Sequence, residues 1–167
     1  MEITFRLGTM EDLDEIFQIF QRAIKRMDEH NIPQWDDIYP DKETFRQDII
    51  KQELHVGVIA SDEIVSVYVV NQECDPQYQM GSWSCPFTSC RIIHRLCVNP
   101  AFQNRGVGRQ TMEHLERELY SQGVRSIRLD AFMQNPYSLR MYYSLSYRIV
   151  GYTQWRKGRF CLLEKKL

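Results

Sequence analysis

Apolar and polar residues alternate from Ile3 to Leu7, which predicts a short strand, and the period then changes. Leu13, Ile16, Phe17, Phe20, Ile24 and Met27 recur at helical spacing to about Glu29 and give one apolar face. Thr9-Met10-Glu11-Asp12 precedes that face as a capping-box pattern, with Asp in place of the usual Glu or Gln. Asn31 to Pro40 contains two prolines and cannot continue the helix. Phe45, Ile49 and Ile50 then predict a second, shorter helix from about Lys42 to Gln52.

Strands follow. Leu54 to Ala60 and Ile64 to Asn71 are β-branched runs separated by Ser61-Asp62-Glu63, the pattern of a hairpin. Glu73 to Cys90 has no period and is rich in Pro, Gly, Ser and aromatic residues. Arg91 to Val98 reads as the next strand, ended by Asn99-Pro100. Gly106-Val107-Gly108 opens a helix carrying Val107, Met112, Leu115 and Leu119, and Gly123 is placed to stop it. A strand from Ser126 to Ala131, a short helix from Pro136 to about Ser144 and a strand from Tyr147 to Trp155 come next. A turn at Lys157-Gly158 leads into a closing strand from Arg159 to Lys165. The order predicts one mixed α/β domain spanning 1–167, with no repeat or linker.

Composition narrows the function classes. The 167 residues suffice for a core and an internal ligand cleft. A net charge of −1 gives no expectation of nucleic-acid binding, and Arg and Lys are interspersed with acids. No apolar run approaches bilayer length and the N-terminal residues lack a signal-peptide pattern, so no membrane partner is expected. Five cysteines (74, 85, 90, 97 and 161) read as reduced thiols of a cytoplasmic protein. Cys85 and Cys90 lie five apart and no CxxC pair exists, so no metal site is expected from them with His94.

The chemistry is carried by Leu96-Cys97-Val98-Asn99-Pro100-Ala101-Phe102-Gln103-Asn104-Arg105-Gly106-Val107-Gly108-Arg109. A strand ends at a proline, passes a short turn and enters a glycine-flanked helix. The first N–H groups of a helix lack intrahelical acceptors and that end is partly positive, so phosphate oxygens suit it when the backbone can come close. Gly106 and Gly108 remove side chains that would block the approach, and Arg105 and Arg109 add charge. The segment is neither a P-loop nor the dinucleotide fingerprint. Taken alone it is unspecific, because many tight strand-to-helix turns use glycine for conformation only.

About thirty residues later comes Asn135-Pro136-Tyr137-Ser138-Leu139-Arg140-Met141-Tyr142-Tyr143-Ser144-Leu145-Ser146-Tyr147. With the earlier turn, it resembles the GNAT superfamily of N-acetyltransferases. That family has a strand, a [QR]xxGx[GA] turn and a helix, and then an NxxAxxxYxxxGF motif. Ser138 stands where Ala is usual, and Ser146-Tyr147 where Gly-Phe is common. A left-handed backbone at Ser146 would cost about 1 kcal/mol.

The resemblance covers nearly the whole chain. It implies a GNAT-like α/β domain with a central mixed, mostly antiparallel sheet of about seven strands and about four helices. It also implies acetyl-coenzyme A as co-substrate and a small-molecule or peptide amine as acceptor, and it leaves a homodimer open. The main chain of Leu96, Cys97 and Val98 would pair with the pantetheine arm, and an amide there would polarise the thioester carbonyl. Gln103, Asn104, Arg105, Gly106, Val107, Gly108 and Arg109 would hold the pyrophosphate. Asn135 would reach the pantetheine, and Tyr142 would protonate the leaving thiolate.

Each residue also has a plainer reading. A neutral amine must attack the thioester, so a base or a water chain must take its proton. Asp130 has two balanced readings, as that base or as a loop-fixing acceptor of backbone hydrogen bonds. His94 by alternation shares a face with Leu96 and Val98, which favours a buried structural histidine over a base. Glu73 and Asp75 are further acids that the sequence does not place. Cys97, in mid-strand, reads as a small buried hydrophobe. Trp35, Asp36 and Tyr39 set aromatics beside carboxylates, which suits a cationic amine, or else form a surface loop pinned by one Trp. The two other functions weighed are an acyl-coenzyme A-binding regulatory domain and, less favoured, a nucleic-acid module.

Overall fold

The computed structural model describes residues 1–167. In chain order the elements are β1 (Thr4–Leu7), α1 (Leu13–Glu29), α2 (Lys42–Ile50), β2 (Leu54–Val58), β3 (Ile64–Asn71), β4 (Cys90–Val98) and α3 (Val107–Ser121). After these come β5 (Ser126–Phe132), α4 (Pro136–Ser144), β6 (Arg148–Trp155) and β7 (Gly158–Lys166). The seven strands belong to one mixed sheet in the order β1-β2-β3-β4-β5-β7-β6. The β1–β2, β2–β3, β5–β7 and β6–β7 pairs are antiparallel, and β4–β5 is parallel.

The chain forms two compact units, Met1–Val70 with Arg95–Thr111, and Asn71–His94 with Met112–Leu167. In the first unit, α1 turns Leu13, Ile16, Ile19, Phe20 and Ala23 onto Phe45 and Ile49 of α2 and the apolar residues of β2 and β3. The buried stripe of α1 is thus rotated from the predicted one. Ile19 and Ala23 take the core positions, while Phe17, Ile24 and Met27 stay half-exposed. Entry to α1 uses half of a capping box: the Thr9 amide donates to Asp12 Oδ2 at 2.7 Å. Arg6 also forks onto Asp12 and holds its carboxyl below the usual range. The helix itself starts one residue later, at Leu13. In the second unit, Tyr78, Ile92 and Leu162 form a core with Trp83, Val150 and Trp155 packed against it.

Several predicted boundaries move by one or two residues. Strand β2 stops at Val58, β4 begins at Cys90 and α2 ends at Ile50. The unperiodic stretch after β3 contains two short 3-10 turns, Pro76–Met80 and Phe87–Ser89, and irregular chain.

Helix α4 ends in a Schellman motif. The Tyr147 N–H donates to the Tyr142 carbonyl and the Ser146 N–H to that of Tyr143, both at 3.0 Å. Closing this motif puts Ser146 at φ +69°, where a Cβ is strained and glycine is favoured. Tyr147, the next residue, is buried. Ser146→Gly relieves the strain and returns part of the gain as unfolded-chain entropy. A net stabilisation of about 0.5–1 kcal/mol is expected in urea denaturation.

Candidate active site

The strand–turn–helix of the first unit is held from behind. Buried Asn99 donates its side-chain amide to the Ile64 carbonyl at 2.8 Å and accepts from the Ala101 N–H at 3.2 Å. Thr111 in α3 donates to Ser66 of β3 at 2.9 Å. Between these anchors the turn takes left-handed backbone at Asn104 (φ +61°) and Gly106 (φ +77°), and α3 starts at Val107. The Gly106 carbonyl accepts the first helical bond, from Gln110 N–H at 3.0 Å. The amides of Val107 and Gly108 precede that bond, at the head of the helix. A Cβ at Gly106 would meet only the Gln110 amide, at 3.8 Å, so the approach to the turn is open. Arg105 lies over the Phe102 ring at 5.5 Å, and the Gln103 side chain donates to the Val98 carbonyl at 3.4 Å. This arrangement fits a pyrophosphate, with main-chain donors and an unobstructed entrance.

Before the turn, β4 contains Arg95 at φ +52°. The parallel ladder with β5 covers Cys90, Arg91 and Ile92 only. Ile92 and Ile93 are both buried, while Leu96 and Val98 are half-buried. His94 is half-buried, with Nε2 at 2.9 Å from both Asn71 Oδ1 and the Glu73 carbonyl. Cys97 is buried, and burial pushes its thiol up to about 12, so it stays protonated.

Arg95 also reaches into the residues between α1 and α2. It donates twice to Asp48, at 2.7 and 3.0 Å, and once to the Tyr39 hydroxyl, at 2.7 Å. Burial pushes the Asp48 carboxyl up against the pull of Arg95. Trp35 packs on Phe20 at 5.0 Å, and Asp36 accepts from the Ile38 and Tyr39 N–H groups at 3.1 Å. Of the three residues predicted for the acceptor, only Tyr39 is largely exposed.

In the second unit, Asp130 on β5 accepts a hydrogen bond from Tyr78 at 2.8 Å. Tyr142 is buried on α4 while Tyr143 is exposed, in keeping with the seven-residue step from Asn135. The Tyr142 ring meets Tyr147 edge-on at 5.6 Å. Burial, with Asp130 and Cys161 adding to it, raises the Tyr142 phenol well above its ordinary pKa and keeps it protonated. Asn135 caps α4 by accepting from the Ser138 N–H at 3.2 Å. The sequence reading missed Tyr78 and the Arg95–Asp48 pair. Tyr78 lies in the segment without a period, and the partners in the pair are 47 residues apart.

A strand closed by Asn-Pro, a left-handed glycine turn and the helix that follows belong to a mixed α/β protein with one seven-stranded sheet. The chain belongs to the acetyltransferase (GNAT) family, whose pattern matches residues 14–147. A stretch of 55 residues is 36% identical to the ribosomal protein bS18-alanine N-acetyltransferase of Salmonella typhimurium. That match covers 33% of this chain and only 37% of that protein's length. A GNAT-family acetyltransferase from Streptococcus agalactiae superposes with a TM-score of 0.87 at 19% identity, over 99% of this chain and 95% of that one. The PaiA N-acetyltransferase from Thermoplasma acidophilum, in complex with coenzyme A, superposes at 0.71 with 16% identity over 100% of both chains. At these identities the superpositions show a shared fold.

Asp48→Asn would leave the mostly buried Arg95 guanidinium without its counter-ion. A loss of about 3 kcal/mol is expected in thermal or urea unfolding, and a smaller loss when Arg95→Met removes the charge as well.

Proposed function

We propose that this protein is an N-acetyltransferase, one catalytic domain over 1–167, that moves the acetyl group of acetyl-coenzyme A directly onto a primary amine of a small molecule or peptide. The observation that carries the reading is the left-handed, unobstructed turn at Asn104–Gly106 that opens into α3. Partly exposed Asp130 and buried, protonated Tyr142 are proposed for the chemistry. Those are the two proton roles the reaction needs. Asp130 takes a proton from the alkylammonium, whose pKa is roughly 10, and frees the lone pair. The amine nitrogen bonds to the thioester carbonyl carbon, and a main-chain amide of Leu96–Val98 stabilises the oxyanion. The C–S bond then breaks, and the thiolate takes the Tyr142 proton. The second proton of the attacking nitrogen returns to Tyr142 as the amide forms, and Asp130 passes its proton to water. The products are an amide and a free thiol.

The open turn at Asn104–Gly106 and the start of α3 beside it support the pyrophosphate site. Cys97 serves through its backbone, since its thiol stays protonated and buried. Tyr39 and Trp35 are proposed for the acceptor side with Asp36 fixing their loop, as Asp36 already accepts two backbone hydrogen bonds there.

Two outcomes are expected. Acetyl-coenzyme A at a hundredfold excess over its Kd should stabilise the fold by about 2.7 kcal/mol, read as a rise in Tm. Binding without thiol release across a panel of amines would instead make the protein a regulatory domain. Tyr142→Phe deletes only the hydroxyl and should lower turnover by roughly 10²-fold with acetyl-coenzyme A affinity little changed. Tyr143→Phe, on the exposed side of α4, should leave turnover near wild type. A reversal of these two effects would reassign the proton donor to Tyr143.

A further inference from the structure

The stretch 73–90 has no helical or strand period, yet it is among the most heavily fastened parts of its unit. Within the 3-10 turn Pro76–Met80, Tyr78 is buried, and its hydroxyl donates to Asp130 Oδ2 at 2.8 Å. Its ring stacks on Trp83 with centroids 5.5 Å apart and leans on Trp155 at 6.3 Å. The Trp83 indole N–H returns to the Tyr78 carbonyl at 2.7 Å, closing a local loop.

Two glycines let the segment come this close. A Cβ at Gly81 would lie 2.5 Å from Trp83, and one at Gly151 on β6 would lie 2.6 Å from the Met80 carbonyl. The Ser82 N–H donates to the Val150 carbonyl at 2.8 Å. Beyond that, the Ser84 and Cys85 N–H groups donate to Glu164 at 2.7 and 3.3 Å. Arg128 donates to the Cys85 carbonyl at 2.6 Å and lies 4.5 Å over the Trp83 ring. Arg128 and Glu164 are buried and face each other in register across β5 and β7.

So many restraints on an irregular segment leave the Tyr78 hydroxyl one direction to point. We propose that Tyr78 is a positioning residue for proton removal: it holds the Asp130 carboxylate in one orientation and in its charged form, ready for the incoming amine. The inference rests on the reading of Asp130 as the base. A hydrogen bond to the charged form of a carboxyl group favours that form. Tyr78 is buried and acts through Asp130. Burial, reinforced by Asp130, raises its own phenol well above the ordinary value, so it remains the donor. Tyr142 from α4 and Cys161 from β7 also act electrostatically with Asp130, while Cys74 and Asp75 act on Tyr78. Tyr142 stays protonated, and Cys161, pushed up to about 11 by burial, does too. Neither titrates where a carboxylate does.

The test uses the full chain with Tyr78→Phe, which keeps the ring and its stacking. The acidic limb of kcat/KM against pH should move to higher pH by about half a unit or more, because the charged carboxylate has lost a donor. The Asp130 side-chain carboxyl resonance, followed by carbon NMR, should titrate with the same displacement. The KM for acetyl-coenzyme A should stay within twofold. Asp130→Asn should abolish the acidic limb. A limb that survives Asp130→Asn overturns the base reading, and this inference with it. A limb lost in Asp130→Asn but unmoved in Tyr78→Phe, with the carboxyl titration also unmoved, overturns the role of Tyr78 alone.

Discussion

The left-handed backbone at Arg95 is the constraint on which the first unit is organised. A non-glycine residue at φ +52° is held against a cost of about 1 kcal/mol or more, so its surroundings must over-determine it. They do so through a two-point ion pair with Asp48 and a hydrogen bond to Tyr39. One residue therefore shapes β4, fixes the end of α2 and ties down the chain between α1 and α2. It stands immediately before Leu96–Val98, the main chain proposed to meet the pantetheine arm.

The two ends of the proposed chemistry use different physical devices. At the phosphate end the donors are main-chain N–H groups at the start of a helix, presented by left-handed residues and held by Asn99 and Thr111 from behind. Side-chain identity matters there mainly through what is absent. At the proton-transfer end, burial does the selecting. It keeps the Tyr142 and Tyr78 phenols protonated, while Asp130 remains partly exposed and accepts the Tyr78 hydrogen bond. The proposed acid and the proposed base are thereby kept in distinct protonation states, as acetyl transfer to an amine would require.

The sequence by itself determined the element order, because each element has its own period and its own stop signal. Gly123, at φ +84°, ends α3 as its position after Leu119 implied, and Asn135 caps α4. Ser146 takes the left-handed position that the resemblance assigned to glycine. The turn before α3 was legible for the same reason: its left-handed backbone falls on Gly106, which the sequence announces locally. The tertiary structure alone decided what depends on partners far apart in the chain. Arg95 meets Asp48 across 47 residues, and Tyr78 meets Asp130 across 52. No periodicity encodes such pairs. The Tyr78–Asp130 contact forms where glycines at 81 and 151 and buried Arg128 and Glu164 bring an unpatterned segment onto its neighbouring strands, and packing rather than local propensity fixes its path.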